Sequence, residues 1–136
     1  MSTVPTWAAH AGAAFLAPSG PGTYSHLFAI LNDPIAFPSM GAQKCVCVVG
    51  FSSVPVATSY DATCVFQAGE HPFITHSSFA FYKYAQALFV ADVERNVTSG
   101  IWVPKPPDFD FTQLNRLKAG LAASPRASRY LQNLKI

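Results

Sequence analysis

The run Lys44–Phe51 (KCVCVVGF) constrains this chain more than any other stretch. After its opening lysine it has no charged side chain and is largely apolar at both strand parities, and it stops at Ser52-Ser53-Val54-Pro55. Eight residues rich in valine are the length of a strand. A strand apolar on both faces is stable only at the centre of a sheet covered on both sides. The fold is therefore built around a buried strand here, with other strands beside it.

The surrounding punctuation is that of short strands. Tyr24–Leu31 (YSHLFAIL) predicts a strand stopped by Asn32-Asp33-Pro34, a turn signal. Thr63–Phe66 predicts a short strand, Ala68–His71 a turn, and Pro72–Ile74 another extended piece. Phe79–Leu88 predicts a strand, because aromatic side chains favour pleated surfaces. Val97–Val103 predicts a further extended piece before Pro104, Pro106 and Pro107. Residues 1–22 are rich in Ala, Gly and Pro, and predict a loose arm ending in a turn at Pro18–Gly22.

The end of the chain reads as helix. Asp110 or Thr112 caps a helix with Leu114, Leu117 and Leu121 on one face. Ser124-Pro125 has the pattern of a second helix start, with Tyr130, Leu131 and Leu134 facing inward. Short strands without a βαβ rhythm, followed by helices, predict a mainly β domain: a small SH3-like antiparallel barrel with C-terminal helices. Its expected limits are one domain over 1–136, an arm over 1–22, the barrel over 23–103 and helices over 110–136.

Charge and cysteine usage narrow the setting. All seven carboxylates lie at or before Asp110, and Arg116, Lys118, Arg126, Arg129 and Lys135 follow it. Such a basic end can meet an RNA backbone or an acidic partner, or dock on the acidic body of its own chain. No apolar run reaches the roughly 18 residues of a membrane span, and Trp7–Leu16 lacks the basic start of a secretory signal. A cytoplasmic protein is expected. In a reducing compartment Cys45, Cys47 and Cys64 are small buried hydrophobes, with Cys45 and Cys47 on one face. A Cys3His zinc site with His71 would need an unusual ligand spacing, so no metal is expected.

The histidines carry the candidate chemistry. His71 and His76 stand five residues apart beside Ser77, Ser78 and Lys83, and histidine is the side chain whose charge changes near neutral pH. His26 lies in the first predicted strand, and Ser52 and Ser53 end the central one.

The order of elements resembles the PemK/MazF toxins of bacterial toxin–antitoxin pairs, over about residues 20–123. Gly22–Leu31 (GTYSHLFAIL) is similar to that family's glycine-led loop feeding an apolar strand. Val46–Val54 (VCVVGFSSV) looks like its strand ending in a hydroxyl pair. Phe73–Tyr82 (FITHSSFAFY) resembles the segment where a serine opens a strand near the dimer interface, and Leu114–Leu121 its C-terminal helix. The family's first strand is not matched by Met1–Ala17, and its catalytic arginine is replaced by Ser25-His26. The resemblance implies a homodimeric endoribonuclease that cuts single-stranded RNA without metal or cofactor and is held by an antitoxin protein. Its chemistry needs a base for the 2′-hydroxyl, an acid for the leaving oxygen and a donor to the phosphorane. The candidates are His26 for one proton transfer, His71 or His76 for the other, and Ser52 or Ser53 as donor. Lys83, Arg126 and Arg129 are candidates for backbone contact, and Tyr24, Phe37 or Phe73 for base stacking. The alternative is a non-catalytic barrel, of phage or mobile-element origin, that binds a protein or RNA.

Overall fold

The computed structural model describes residues 7–19 and 24–136. The predicted central strand is there as β4 (Lys44–Ser53), and it organises the sheet. Along one edge it pairs with β2 (Ser25–Ile30) and β3 (Ile35–Ala36), and along the other with β6 (Ser78–Ala80) and β7 (Gln86–Phe89). β1 (Ala14–Pro18) pairs with β2, β8 (Val103–Pro104) with β1, and β5 (Val65–Phe66) with β6. All these pairings are antiparallel. The strand path runs β5-β6-β4-β2-β1-β8 and does not return on itself. The mainly β architecture is thus as expected, while among the described residues the sheet does not close into the expected barrel.

Both faces of β4 are covered, which is why its sequence does not alternate. Cys45, Cys47, Val49 and Phe51 enter one core with Leu27, Phe66, Tyr82, Phe109, Leu117 and Leu131. Val46 and Val48 enter a second core with Phe15, Ile30 and Val93. The first core is closed by α2 (Phe111–Ala123) and α3 (Arg129–Gln132), the second by α1 (Val90–Thr98).

Three sequence expectations are corrected. First, residues 14–18 belong to the sheet, not to a loose arm. Ala13, Phe15 and Ala17 face one core and Ala14 the other, so small side chains supply a strand pattern that composition hides. The start of this segment is anchored too: Gly12 donates to the Ile30 carbonyl at 2.8 Å and accepts from Phe109 N–H at 2.7 Å. Its φ of +88° needs glycine. Residues 20–23, which hold part of the expected Pro18–Gly22 turn, lie outside the described residues.

Second, Phe79–Leu88 is not one strand. A 3-10 turn over Tyr82–Tyr84 separates β6 from β7, because the Tyr82 ring turns inward and its hydroxyl donates to the Leu117 carbonyl at 2.8 Å. The chain then forms α1, and of the expected 97–103 piece only Val103 is extended, in β8 with Pro104. Pro72–Ile74 forms no strand.

Third, the second terminal helix begins differently. Asp110 caps α2 as expected, in a reciprocal capping box with Gln113. Ser124, however, ends α2, and Ser128 caps α3. The Ser124 hydroxyl donates instead to buried Asp61 at 2.6 Å. Leu131 is buried as expected, whereas Tyr130 is exposed. The first cation of the basic end does dock on its own body: Arg116 reaches Glu70 and, at 2.9 Å, the Val65 carbonyl. Among the described residues no helix is long and apolar enough to cross a membrane.

Candidate functional site

β2 and β4 pair through Phe28–Ile30 and Val48–Gly50, and the ladder ends there. Beyond it a cleft of about 550 Å³ lies on the α1 side of the sheet, at the open end of the second core. Its floor is formed by Ala17 and Pro18 from β1, His26 and Phe28 from β2, and Val48, Gly50, Phe51 and Ser52 from β4. Phe81, Tyr84, Gln86, Leu88 and Trp102 form its walls, and Ser19 stands at its end.

The aromatic wall is held from behind. The Phe15 ring stacks on Phe28, with centroids 5.6 Å apart, and on Trp102 at 5.0 Å. Phe28 in turn lies directly over Gly50, where an added Cβ would sit 2.7 Å from its ring. A side chain at position 50 would push that ring into the cleft. Among the described residues the polar lining is Ser19, His26, Ser52 and Gln86, with no carboxylate, lysine or arginine. Lys83 does not line the cleft, but its Nζ is 5.5 Å from the centre of the ring of Tyr84, which does.

His26 and Ser52 both line this cleft, from two strands. His26 is half-buried, and its Nδ1 is hydrogen-bonded to the Ser19 hydroxyl. Ser53 points away from this floor by strand alternation and is exposed.

The other two candidate histidines are elsewhere. His71 is 2% exposed and sits in the first core's margin, its ring 5.0 Å from that of Phe109. Its Nδ1 accepts the Phe73 N–H at 3.2 Å and its Nε2 donates to the Pro107 carbonyl at 2.8 Å. With both nitrogens used, His71 staples the turn after β5 to the proline loop and is not free to exchange protons with a ligand. His76 is exposed before β6 and does not line the cleft.

The expected RNA contacts divide similarly. Tyr24 is 74% exposed at the foot of β2, and Lys83 is exposed. Phe37 is 2% exposed and part of the first core, so it cannot stack a base. Phe73 is partly exposed beneath Lys105, whose Nζ is 4.9 Å from its ring. Arg126 and Arg129 are exposed at the α2–α3 connection. Those helices cover the face opposite the cleft.

The three cysteines are buried in the first core, as expected of small hydrophobes. Burial pushes the Cys47 thiol up to about 12 and raises that of Cys64. Among the described residues no three His, Cys, Asp or Glu side chains are grouped to hold a metal.

Ser19, Gln86 and Trp102 were missed at the sequence level. Ser19 fell in the expected arm, Gln86 in the expected continuous strand, and Trp102 reaches the cleft only through the β1–β8 pairing. Comparison of the chain with protein-family models, curated proteins and solved structures finds no match.

Proposed function

We propose that this protein binds single-stranded RNA, seating a base in the cleft formed by β1, β2 and β4, and does not cut the strand. The observation that carries this reading is the lining: Phe28, Phe81, Tyr84 and Trp102 beside the polar groups of His26, Ser52 and Gln86. Every base offers a flat face to aromatic rings and a polar edge to such groups. The volume of about 550 Å³ falls within the roughly 300–1,000 Å³ of small-ligand sites. RNA as the partner class is supported by the PemK/MazF resemblance, and exposed Lys83, beside Tyr84, supplies a charge for one phosphate.

Magnitudes weigh against cleavage. Of the five candidate catalytic residues only His26 and Ser52 line the cleft, and a serine hydroxyl is a poor proton carrier near neutral pH. Lacking one positioned proton-transfer group forfeits about 10²–10⁴ in rate. A lining without lysine or arginine adds a further loss of charge stabilisation on the phosphorane.

The test is binding of a short fluorescent RNA, read by anisotropy. Tyr84 is 61% exposed, so Tyr84→Ala leaves the fold intact. Losing one stacked base should weaken binding by about 5–150-fold. The salt dependence should be shallow, with a slope near that of one phosphate contact. No binding, or binding indifferent to Tyr84→Ala, sinks the proposal.

A second reading is the cytoplasmic, homodimeric, antitoxin-held ribonuclease. It is favoured by one observation, the shared cleft of His26 and Ser52. Metal-free RNA cleavage in EDTA that disappears in His26→Ala would establish it instead.

A further inference from the structure

β1 and β2 form a hairpin in which Ala17 lies opposite His26 and Pro18 opposite Ser25. One step further out, the Ser19 N–H donates to the Tyr24 carbonyl at 3.2 Å. Antiparallel alternation then puts Ala17, Ser19, Tyr24 and His26 on one face, with Ser19 diagonal to His26. That diagonal is the reach of a histidine ring, and the Ser19 hydroxyl is hydrogen-bonded to Nδ1. Both residues line the cleft. Nε2, on the far side of the ring, has no hydrogen-bond partner among the described residues.

We infer that Ser19 is a positioning residue that donates its proton to His26 Nδ1, so that the neutral ring presents an Nε2–H donor to the cleft. Two considerations fix the direction. An imidazole lone pair is a stronger acceptor than a hydroxyl oxygen. The Ser19 proton also has no other acceptor among the described residues, so turning the bond round would leave it without a protein partner. Which ring nitrogen carries the proton is set by the bond the other makes.

A histidine held this way is a hydrogen-bond donor, not a base. It suits an occupant that offers an acceptor, such as the ring carbonyl or ring nitrogen of a base. Only that choice of occupant rests on the RNA reading; the tautomer does not.

The test is a long-range ¹H–¹⁵N correlation of the uniformly labelled protein, at a pH where imidazoles are neutral. His26 should show a protonated Nε2 and an unprotonated, hydrogen-bonded Nδ1. Ser19→Ala should shift the Nδ1 resonance toward that of a free ring and mix the tautomers, and Ser19→Thr should restore the wild-type pattern. In RNA binding, Ser19→Ala should cost about 3–10-fold, the effect of one hydrogen bond. It should cost nothing further in a His26→Ala background. A protonated Nδ1 in the wild type, or a His26 pattern unchanged in Ser19→Ala, overturns the inference. The expected ring pattern in a protein that binds no RNA upholds Ser19's role and rejects the RNA reading.

Discussion

Gly120→Ala tests the packing between the sheet and its helices. Gly120 lies inside α2, where helix propensity alone makes alanine better by about 1 kcal/mol. In the folded protein an added Cβ would sit 2.1 Å from the Tyr82 hydroxyl, 2.8 Å from Tyr82 Cζ and 3.0 Å from Cys64 Cβ. Tyr82 is completely buried and cannot swing into solvent. Its hydroxyl would have to leave the Leu117 carbonyl, stranding buried polar groups at about 1–3 kcal/mol. Overpacking adds about 1–3 kcal/mol. Set against the propensity gain, the net loss lies between about 1 and 5 kcal/mol. A loss near 3 kcal/mol lowers the melting temperature of a chain of this length by about 10 °C. Urea titration followed by circular dichroism and thermal melting both read it. Adding Tyr82→Phe, which removes the obstructing oxygen, should recover part of the loss. A Gly120→Ala protein as stable as wild type would refute the reasoning and show that this helix is not seated on Tyr82.

Two further outcomes follow from the site and its surroundings. His71→Ala removes a buried ring and two hydrogen bonds, so it should cost about 2–4 kcal/mol in urea titrations. RNA affinity, measured on the folded variant, should not change; a loss there would return His71 to the site. Burial works to raise the Asp61 carboxyl, but hydrogen bonds from Ser124 and Thr63 outweigh it and hold it below the ordinary value. A lowered folded-state value means stability present above about pH 4 and lost as pH falls through that lowered value. The wild-type urea midpoint should therefore fall faster on acidification than that of Asp61→Asn, and parallel curves would show that Asp61 does not drive the loss.

The site was half legible. His26 and Ser52, which line the cleft, were legible because strand ends carrying histidine and serine stand out against apolar runs. His71 and Phe37 misled for a shared reason: a polar or aromatic residue beside prolines looks available in one dimension. The fold buries both, one between two backbone partners and one in the core. Ser19 carried no signal until the hairpin register put it diagonal to His26.

By itself the sequence determined the elements whose signal is local. β4 is an unbroken apolar run because both its faces are buried. α2 begins at Asp110 because the capping box spans only four residues, and the thiols are buried because cysteine behaves as a small hydrophobe. Only the tertiary structure decided what depends on distant partners. β1 is a strand because β2 and β8 flank it, not because its Ala-rich composition favours one. The aromatic run after β6 breaks into a 3-10 turn because the Tyr82 hydroxyl finds a carbonyl 35 residues away. The cleft exists because β2 and β4 part beyond Gly50. Such features depend on long-range register and side-chain shape, which no window of neighbouring residues contains.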